Sequence, residues 1–192
     1  MNDISGIMEI KGSLVSDAAP AGIEKAQYFT FYLKDALYGI EIERVREIIE
    51  YDKVNAVPCV PDYIKGVINV RGEIIPVVDL SQRLFSRSTV TNRFTAIAVI
   101  ETRDGNDAIL MGIMVDRINR VMEIDAGTIT APEVGYKIRP DLLRGIGSDG
   151  EAFIMLLNER QMLNVDEMSE TIAGSAGIPA GGNQKLQAVH AG

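Results

Sequence analysis

Residues 57–80 read VPCVPDYIKGVINVRGEIIPVVDL, and this stretch predicts a β-hairpin. Residues 66–70 and 74–78 are rich in β-branched side chains, which favour strands. The residues between these two runs include types that turns prefer, so the chain is expected to reverse direction there.

The predicted turn places a charged residue at the tip of the hairpin. Asn69 and Gly72 tolerate turn geometry, and Arg71 lies between them. A long cation at a hairpin tip can reach a partner protein. On these residues alone, however, the simpler interpretation of Arg71 is a solvated turn charge paired with Glu73.

The rest of the chain shows the same kind of pattern. Short runs rich in β-branched and aromatic residues recur, separated by Gly, Asn or Asp. The candidate strands cover residues 28–33, 37–42, 66–70, 74–78, 94–101, 108–115, 121–124, 143–147 and 152–157. Many short strands with closely spaced turns indicate an all-β barrel or sandwich.

Three short helices are predicted beside these strands. Residues 43–50 have apolar side chains at the i, i+3, i+4 spacing of a helix face, namely Val45, Ile48 and Ile49. The other two helices begin at N-cap residues with a glutamine at the N3 position, in the pairs Asp79 with Gln82 and Asn158 with Gln161.

Four landmarks appear twice in the same order, which predicts two related subdomains. In the first half they are residues 29–30, 39–45, 65–67 and 79–82. In the second half they are residues 94–95, 112–118, 144–146 and 158–161. Each landmark alone is a weak signal, so the argument rests on their shared order.

Composition excludes several classes of partner. The chain has 192 residues, of which 46% are hydrophobic, and this is enough for a substantial core. The formal net charge is −8, and no stretch has the Lys/Arg clustering that a phosphate backbone requires. Nucleic acid and anionic membrane surfaces are therefore poor candidates. No apolar run reaches the length of a membrane span, so direct membrane insertion is not expected.

The ends of the chain differ from its middle. Residues 1–25 and 169–192 are rich in small and polar residues and predict flexible tails around a domain at residues 26–168. The single cysteine, Cys59, fits a reducing compartment, so a cytoplasmic protein is predicted.

The sequence contains no combination of residues that is typical of a catalytic site. The only histidine, His190, lies in the predicted C-terminal tail, and Cys59 stands alone between prolines. Asp79 and Asp116 are better explained as a helix cap and a turn residue at a strand end than as an acid pair. We therefore predict that the protein is not an enzyme and uses no cofactor or metal.

A barrel that binds a small ligand is a further alternative. Its signature is a set of polar residues that converge inside the barrel. The predicted inward residues are instead aliphatic, namely Ile40, Ile42, Val67, Ile75, Val77 and Ile113. A small-molecule substrate is therefore not expected.

The segments at residues 39–49, 64–72, 75–80 and 112–116 together strongly resemble the CheW family of bacterial chemotaxis coupling proteins. The resemblance spans about residues 27–167 and implies two five-stranded, SH3-like β-barrels packed through a shared apolar core. It also implies an adaptor. CheW-like proteins bind the cytoplasmic tip of a chemoreceptor and the regulatory domain of the CheA histidine kinase. The protein is then expected in the cytoplasm, recruited to membrane-associated receptor arrays.

By position, the resemblance assigns a receptor- or kinase-binding surface to Val45, Glu47, Lys65, Gly66, Asn69, Arg71 and Gly72. An exposed valine and glycine backbone beside opposite charges are expected to form a groove for an apolar helix face. The second subdomain is expected to meet the kinase through Arg117, Ile118, Asn119 and Val121. There Asn119 and Arg120 replace Arg46 and Glu47, so the halves differ in charge at one equivalent position.

A related adaptor remains an alternative. The same kind of module occurs in CheV-like adaptors, where it is fused to a receiver domain, and a diverged or non-chemotactic pathway could use it alone. A chain of 192 residues leaves no room for a receiver beside the predicted domain, which favours a standalone coupling protein.

Overall fold

The structure is a computed structural model that describes residues 25–104, 107–132 and 138–163. Within these residues it has ten strands and two short helices. The strands are β1 (Lys25–Leu33), β2 (Ala36–Glu41), β3 (Val45–Glu50), β4 (Ile64–Val70), β5 (Glu73–Asp79), β6 (Ala96–Asp104), β7 (Asp107–Val115), β8 (Arg117–Asp125), β9 (Leu143–Ser148) and β10 (Phe153–Leu157). The helices are α1 (Leu80–Phe85) and α2 (Glu159–Met162), and 3-10 turns cover Ile42–Arg44, Ala126–Thr128 and Pro140–Leu142. The predicted all-β class is confirmed.

Each of the nine predicted strands corresponds to a strand of the structure, and both predicted N-caps form. The Asp79 carboxylate accepts a hydrogen bond from the backbone N–H of Gln82 at 3.1 Å. The Asn158 side chain accepts from the backbone N–H of Gln161 at 3.4 Å. The predicted tails at residues 1–25 and 169–192 lie outside the described residues, apart from residue 25, and the domain limits stay a prediction.

The strands form two five-stranded sheets that exchange strands between the halves of the chain. The first sheet has the order β8-β1-β2-β10-β9, and the second has the order β3-β6-β7-β5-β4. The two sheets are equivalent. Exchanging each strand with its counterpart in the other half, β1 with β6, β2 with β7 and so on to β5 with β10, turns one strand order into the other. Each sheet thus combines two strands of one half with three of the other, and neither half supplies all five strands of a sheet.

The pairing register identifies equivalent residues in the two halves. Gly39 of β2 pairs with Thr30, and Gly112 of β7 pairs with Val99. The equivalent of Thr30 is therefore Val99, and the predicted match of Thr30 with Thr95 is wrong. The other three landmarks lie in equivalent elements, namely β2 with β7, β4 with β9, and the N-cap of α1 with that of α2.

The predicted helix at residues 43–50 is also wrong. A 3-10 turn leads into strand β3, which pairs antiparallel with β6. A β-bulge after Val45 shifts the alternation of side chains by one position. As a result Val45 and Ile48 pack against the same core, while Ile49 packs against another. A bulged strand with apolar residues on both faces thus imitates the spacing of a helix.

The buried side chains form three clusters. The largest lies between the sheets and contains residues of both, such as Phe31 of β1 and Ile100 of β6. A second cluster holds buried side chains of the first sheet, such as Ile154, and a third holds those of the second sheet, such as Val77. Each sheet therefore covers a core of its own with one face and packs on the other sheet with its opposite face.

Backbone ladders do not close either sheet into a complete barrel within the described residues. The edges of the second sheet are β3 and β4, and those of the first are β8 and β9. Side chains bridge the two gaps instead. Glu47 on β3 contacts Arg71 at the tip of the β4–β5 hairpin, and Arg120 on β8 contacts Asp149 beyond the end of β9. The SH3-like units are thus open barrels.

Candidate docking surface

The turn between β4 and β5 is rigidly defined by its own residues. Arg71 and Gly72 both have positive φ, 54° and 94°, as the two central residues of a type I′ turn do. The side-chain oxygen of Asn69 accepts a hydrogen bond from the backbone N–H of Gly72 at 3.0 Å. A non-glycine residue in this region is uncommon, so the turn holds Arg71 in a costly but defined conformation.

An ion pair aims the Arg71 side chain along the surface. Nη2 of Arg71 lies 3.1 Å from Oε1 of Glu47, and the Arg71 side chain is 80% exposed. Pairing with Glu47 replaces the pairing with Glu73 that the sequence alone favoured. An exposed pair of this kind adds about 1 kcal/mol or less to stability. Its main effect is to orient a guanidinium that stays accessible to a partner.

The outward face of the β4–β5 hairpin carries both polar and apolar side chains. Lys65 and Asn69 are exposed on β4. Ile74 on β5 pairs directly with Asn69, so both side chains lie on the same face, and Ile74 is 61% exposed. We call Glu47, Lys65, Asn69, Arg71 and Ile74 the hairpin surface. Sequence reasoning missed Ile74, although strand alternation with Ile75 and Val77, which were predicted to point inward, would have placed it outward.

Two of the predicted surface residues are buried. Val45 is 2% exposed and belongs to the core between the sheets, so the prediction of an exposed valine is wrong. Gly66 is buried with a φ of 141°, and a Cβ there would lie 2.8 Å from the carbonyl carbon of Asn55. Both residues are therefore left out of the hairpin surface as it is defined here.

The residues predicted for the second half lie on β8, beside β1. The guanidinium of Arg117 lies over the ring of Tyr32, 4.1 Å from its centre, and Arg117 is exposed. Ile118 packs against the core between the sheets. The amide of Asn119 donates to the hydroxyl of Thr30 at 3.0 Å. Val121 is half-buried, so Arg117 is the most accessible of the four predicted residues.

The second half repeats the ion pair of the hairpin surface with the charges exchanged. Nη2 of Arg120 lies 3.1 Å from Oδ2 of Asp149. Arg120 lies at a bulge in β8, as Glu47 lies at the bulge in β3. By register, Asp149 is the equivalent of Val70, so it lies one position before the equivalent of Arg71. The sequence analysis identified the opposite charge at Arg120, but it did not identify Asp149 as the partner of that charge. The carboxylate is held by the backbone N–H groups of Ala152 and Glu151, which lower the pKa of Asp149.

An exposed apolar residue is repeated as well. Phe153 on β10 is the register equivalent of Ile74 on β5, and it is 79% exposed. We call Arg117, Arg120, Asp149 and Phe153 the β8 surface. Sequence analysis missed Phe153 and Asp149. The alternation of apolar residues along β10 and the Asp149-Gly150 turn were the signals that could have found them.

Comparison with known proteins agrees with this architecture. The family model for the CheW-like domain matches residues 27–167. This chain belongs to the CheW family. It is 32% identical over 144 residues to a chemotaxis protein CheW of Klebsiella aerogenes, with 74% of this chain and 84% of the relative covered. A chemotaxis protein CheW of Treponema pallidum is 28% identical over 152 residues, with 77% and 87% covered.

A solved structure shows the same fold. The crystal structure of the scaffolding protein TtCheW from Thermoanaerobacter tengcongensis matches with a TM-score of 0.64 at 26% identity. The match covers 74% of this chain and 90% of that one. The family match at residues 27–167 spans both surfaces and all ten described strands, apart from the first two residues of β1.

The acidic residues considered as a catalytic pair have structural partners in this CheW-like domain. Asp79 is buried and accepts hydrogen bonds from the backbone N–H groups of Gln82 and Thr89 and from the Thr89 hydroxyl. Asp116 accepts from the backbone N–H of Lys34 at 2.6 Å. Both carboxylates thus stabilise turns, as the sequence indicated. Across the described ranges, no group of three or more His, Cys, Asp or Glu side chains could hold a metal ion.

Proposed function

We propose that the protein is a chemotaxis adaptor that couples chemoreceptors to a CheA-type histidine kinase through protein contacts alone. The observation that carries the proposal is the hairpin surface on a member of the CheW family. An exposed isoleucine lies there near the hairpin tip, where Glu47 holds Arg71 in place, and Lys65 is exposed farther along β4. Such a surface suits recognition rather than reaction.

The chemistry of the hairpin surface fits the cytoplasmic tip of a receptor. An amphipathic helix can lay an apolar side chain on Ile74 and offer carboxylates to Arg71 and Lys65. The Arg71 guanidinium is already oriented, so less side-chain freedom is lost on binding. The β8 surface, with its exchanged charges and exposed Phe153, is the proposed contact for the regulatory domain of the kinase.

Transmission follows from the shared core. Because each sheet contains strands of both halves, the two surfaces are parts of one packed unit. Displacement of the receptor tip therefore reaches the kinase as a change in relative position, without a reaction in the adaptor. In the described part of the chain, no helix has the length and apolar character needed to cross a membrane. We infer that receptor contacts recruit the protein to membrane-associated arrays from the cytoplasm.

The test is a pull-down with a receptor cytoplasmic fragment and the regulatory domain of a histidine kinase from the same organism. Arg71→Glu reverses the charge of an exposed side chain, so it is expected to keep the fold and to weaken retention of the receptor fragment by about tenfold or more. Lys25→Glu is the matched control, because Lys25 is also an exposed cation paired with a glutamate, at 3.7 Å, on a different strand.

Three results decide the proposal. Retention of both partners by the wild type and by Lys25→Glu, with loss of the receptor fragment in Arg71→Glu, supports it. Failure of the folded wild type to retain either partner contradicts the adaptor role. Equal retention by Arg71→Glu and the wild type contradicts the assignment of the hairpin surface, since the charge of Arg71 would then make no contact.

A further inference from the structure

A buried carboxylate that belongs to neither surface lies at the start of α2. Glu159 is the first residue of α2 and is 7% exposed. A buried charge is costly unless an opposite charge compensates it. The compensating group is Arg44, whose Nε lies 3.4 Å from Oε1 of Glu159. The second half of the chain thus holds the side chain of a residue from the first half.

The ion pair continues into a row of alternating charges. Nε of Arg44 also lies 3.8 Å from Oε2 of Glu41, at the end of β2. The other oxygen of Glu41 accepts a hydrogen bond from Arg144 on β9. The row therefore runs from Glu159 through Arg44 and Glu41 to Arg144, and it joins α2 and β9 to the segment between β2 and β3.

The fold itself does not require a charge at this place. Leu80 begins α1 as Glu159 begins α2, and Leu80 is fully buried in the core. Arg117 occupies the position equivalent to Arg44, and its guanidinium lies over the Tyr32 ring instead. At the start of its helix, the first half of the chain thus has a buried apolar side chain where the second half has Glu159. The charge of Glu159 needs an explanation other than packing.

The position of Arg44 supplies that explanation. Arg44 ends the 3-10 turn that carries the chain from the first sheet to the second, and β3 begins at the next residue. Strand β3 is an edge strand that pairs only with β6 in the described ladders. Its bulge comes directly after Val45, and Glu47 then reaches Arg71. Arg44 therefore lies three residues before Glu47, the residue that pairs with Arg71.

We propose that Glu159 is a positioning residue for the hairpin surface. By holding Arg44 it fixes the start of β3, and through β3 it fixes the Glu47–Arg71 pair. It also connects the α2 end of the second half to a docking surface of the first half. The effect on binding rests on the proposed adaptor function, whereas the effect on β3 belongs to the free protein and is tested separately.

The first measurement is amide hydrogen exchange on the full chain without partners. Glu159→Gln removes the charge with little change in shape, and Glu159→Leu copies the residue found at the equivalent position of α1. Both variants are expected to raise exchange in β3 (Val45–Glu50) by about tenfold, with little change in β6 and β7. Glu123→Gln is the control, because Glu123 also pairs with a cation, at 3.7 Å, but is exposed on β8.

The second measurement is the affinity of each variant for the receptor fragment, with Arg71→Glu as the reference. We expect the Glu159 variants to bind about tenfold more weakly than the wild type and Glu123→Gln to bind as the wild type does. Adding Arg71→Glu to Glu159→Gln is expected to cause less additional loss than Arg71→Glu causes alone, because both changes act on the same contact.

The outcomes separate this inference from the adaptor proposal. Faster exchange spread evenly over all strands overturns the positioning role, since the charge would then act on global stability. Unchanged exchange in β3 also overturns it. Weak binding by Arg71→Glu with normal binding by both Glu159 variants overturns it while the adaptor function stands. Local loosening of β3 in a protein that binds no receptor fragment supports the positioning of β3 and contradicts the adaptor proposal.

Discussion

Gly66 provides a sharp test of whether a residue assigned to the binding surface acts through the fold instead. The substitution Gly66→Ala adds one methyl group at a buried position on β4. That methyl carbon would lie 2.8 Å from the carbonyl carbon of Asn55 and nearer still to its oxygen. These two nearest atoms are backbone, so the contact cannot be relieved by turning a side chain.

The expected loss of stability follows from two effects. The φ of 141° at Gly66 is rarely adopted by residues with a side chain, and holding alanine there costs about 1–3 kcal/mol. Displacing Asn55 also breaks its two backbone hydrogen bonds with Val67, at 2.9 and 2.8 Å, at about 1 kcal/mol each. Gly66→Ala is therefore expected to lower the free energy of unfolding by about 3–5 kcal/mol.

Urea unfolding followed by circular dichroism measures this loss. Gly72→Ala is the matched control, because Gly72 also has a positive φ, 94°, but its added methyl would have no neighbour within 4 Å. The control is expected to lose about 1 kcal/mol. If Gly66→Ala were no less stable than Gly72→Ala, the close approach of Asn55 would be wrong, and a direct role of Gly66 in binding would regain support.

Two further predictions concern the surfaces and the core. Ile74→Ser and Phe153→Ser remove exposed side chains, so each is expected to change the unfolding free energy by about 0.5 kcal/mol or less while weakening retention of its partner in the pull-down. A large loss of stability in either variant would show that the side chain is packed. Burial raises the pKa of Tyr38 from 10.0 to about 12. Stability from Tyr38 is thus complete below pH 10 and is lost as the pH rises toward 12, and Tyr38→Phe should flatten this decline in urea midpoints.

Local sequence signals predicted most of the strands and both helix starts because these depend on neighbouring residues. The N-caps at Asp79 and Asn158 satisfy backbone N–H groups three residues along the chain, and alternation of apolar residues marks most strands. β3 was mistaken for a helix because its bulge shifts Ile48 and Ile49 out of simple alternation. The bulge depends on pairing with β6, which is distant in sequence.

The candidate site was predictable only in part. Position along the family pattern indicated Glu47 and Arg71, and the structure brings these two side chains into contact. The same pattern placed Val45 on the surface, yet Val45 lies in the core between the sheets. Burial is decided by elements that pack from elsewhere in the chain, so it cannot be read from a motif.

The sequence by itself determined that the chain is an all-β protein of the CheW family, with a hairpin turn that carries Arg71 and helices that begin at capped positions. Those features follow from residue types at short spacing. The exchange of strands between halves, the reversed Arg120–Asp149 pair and the row from Glu159 to Arg144 were decided only by the tertiary structure. Each of these joins residues far apart in the chain, and local patterns specify which face of a strand is apolar but not which strand lies beside it.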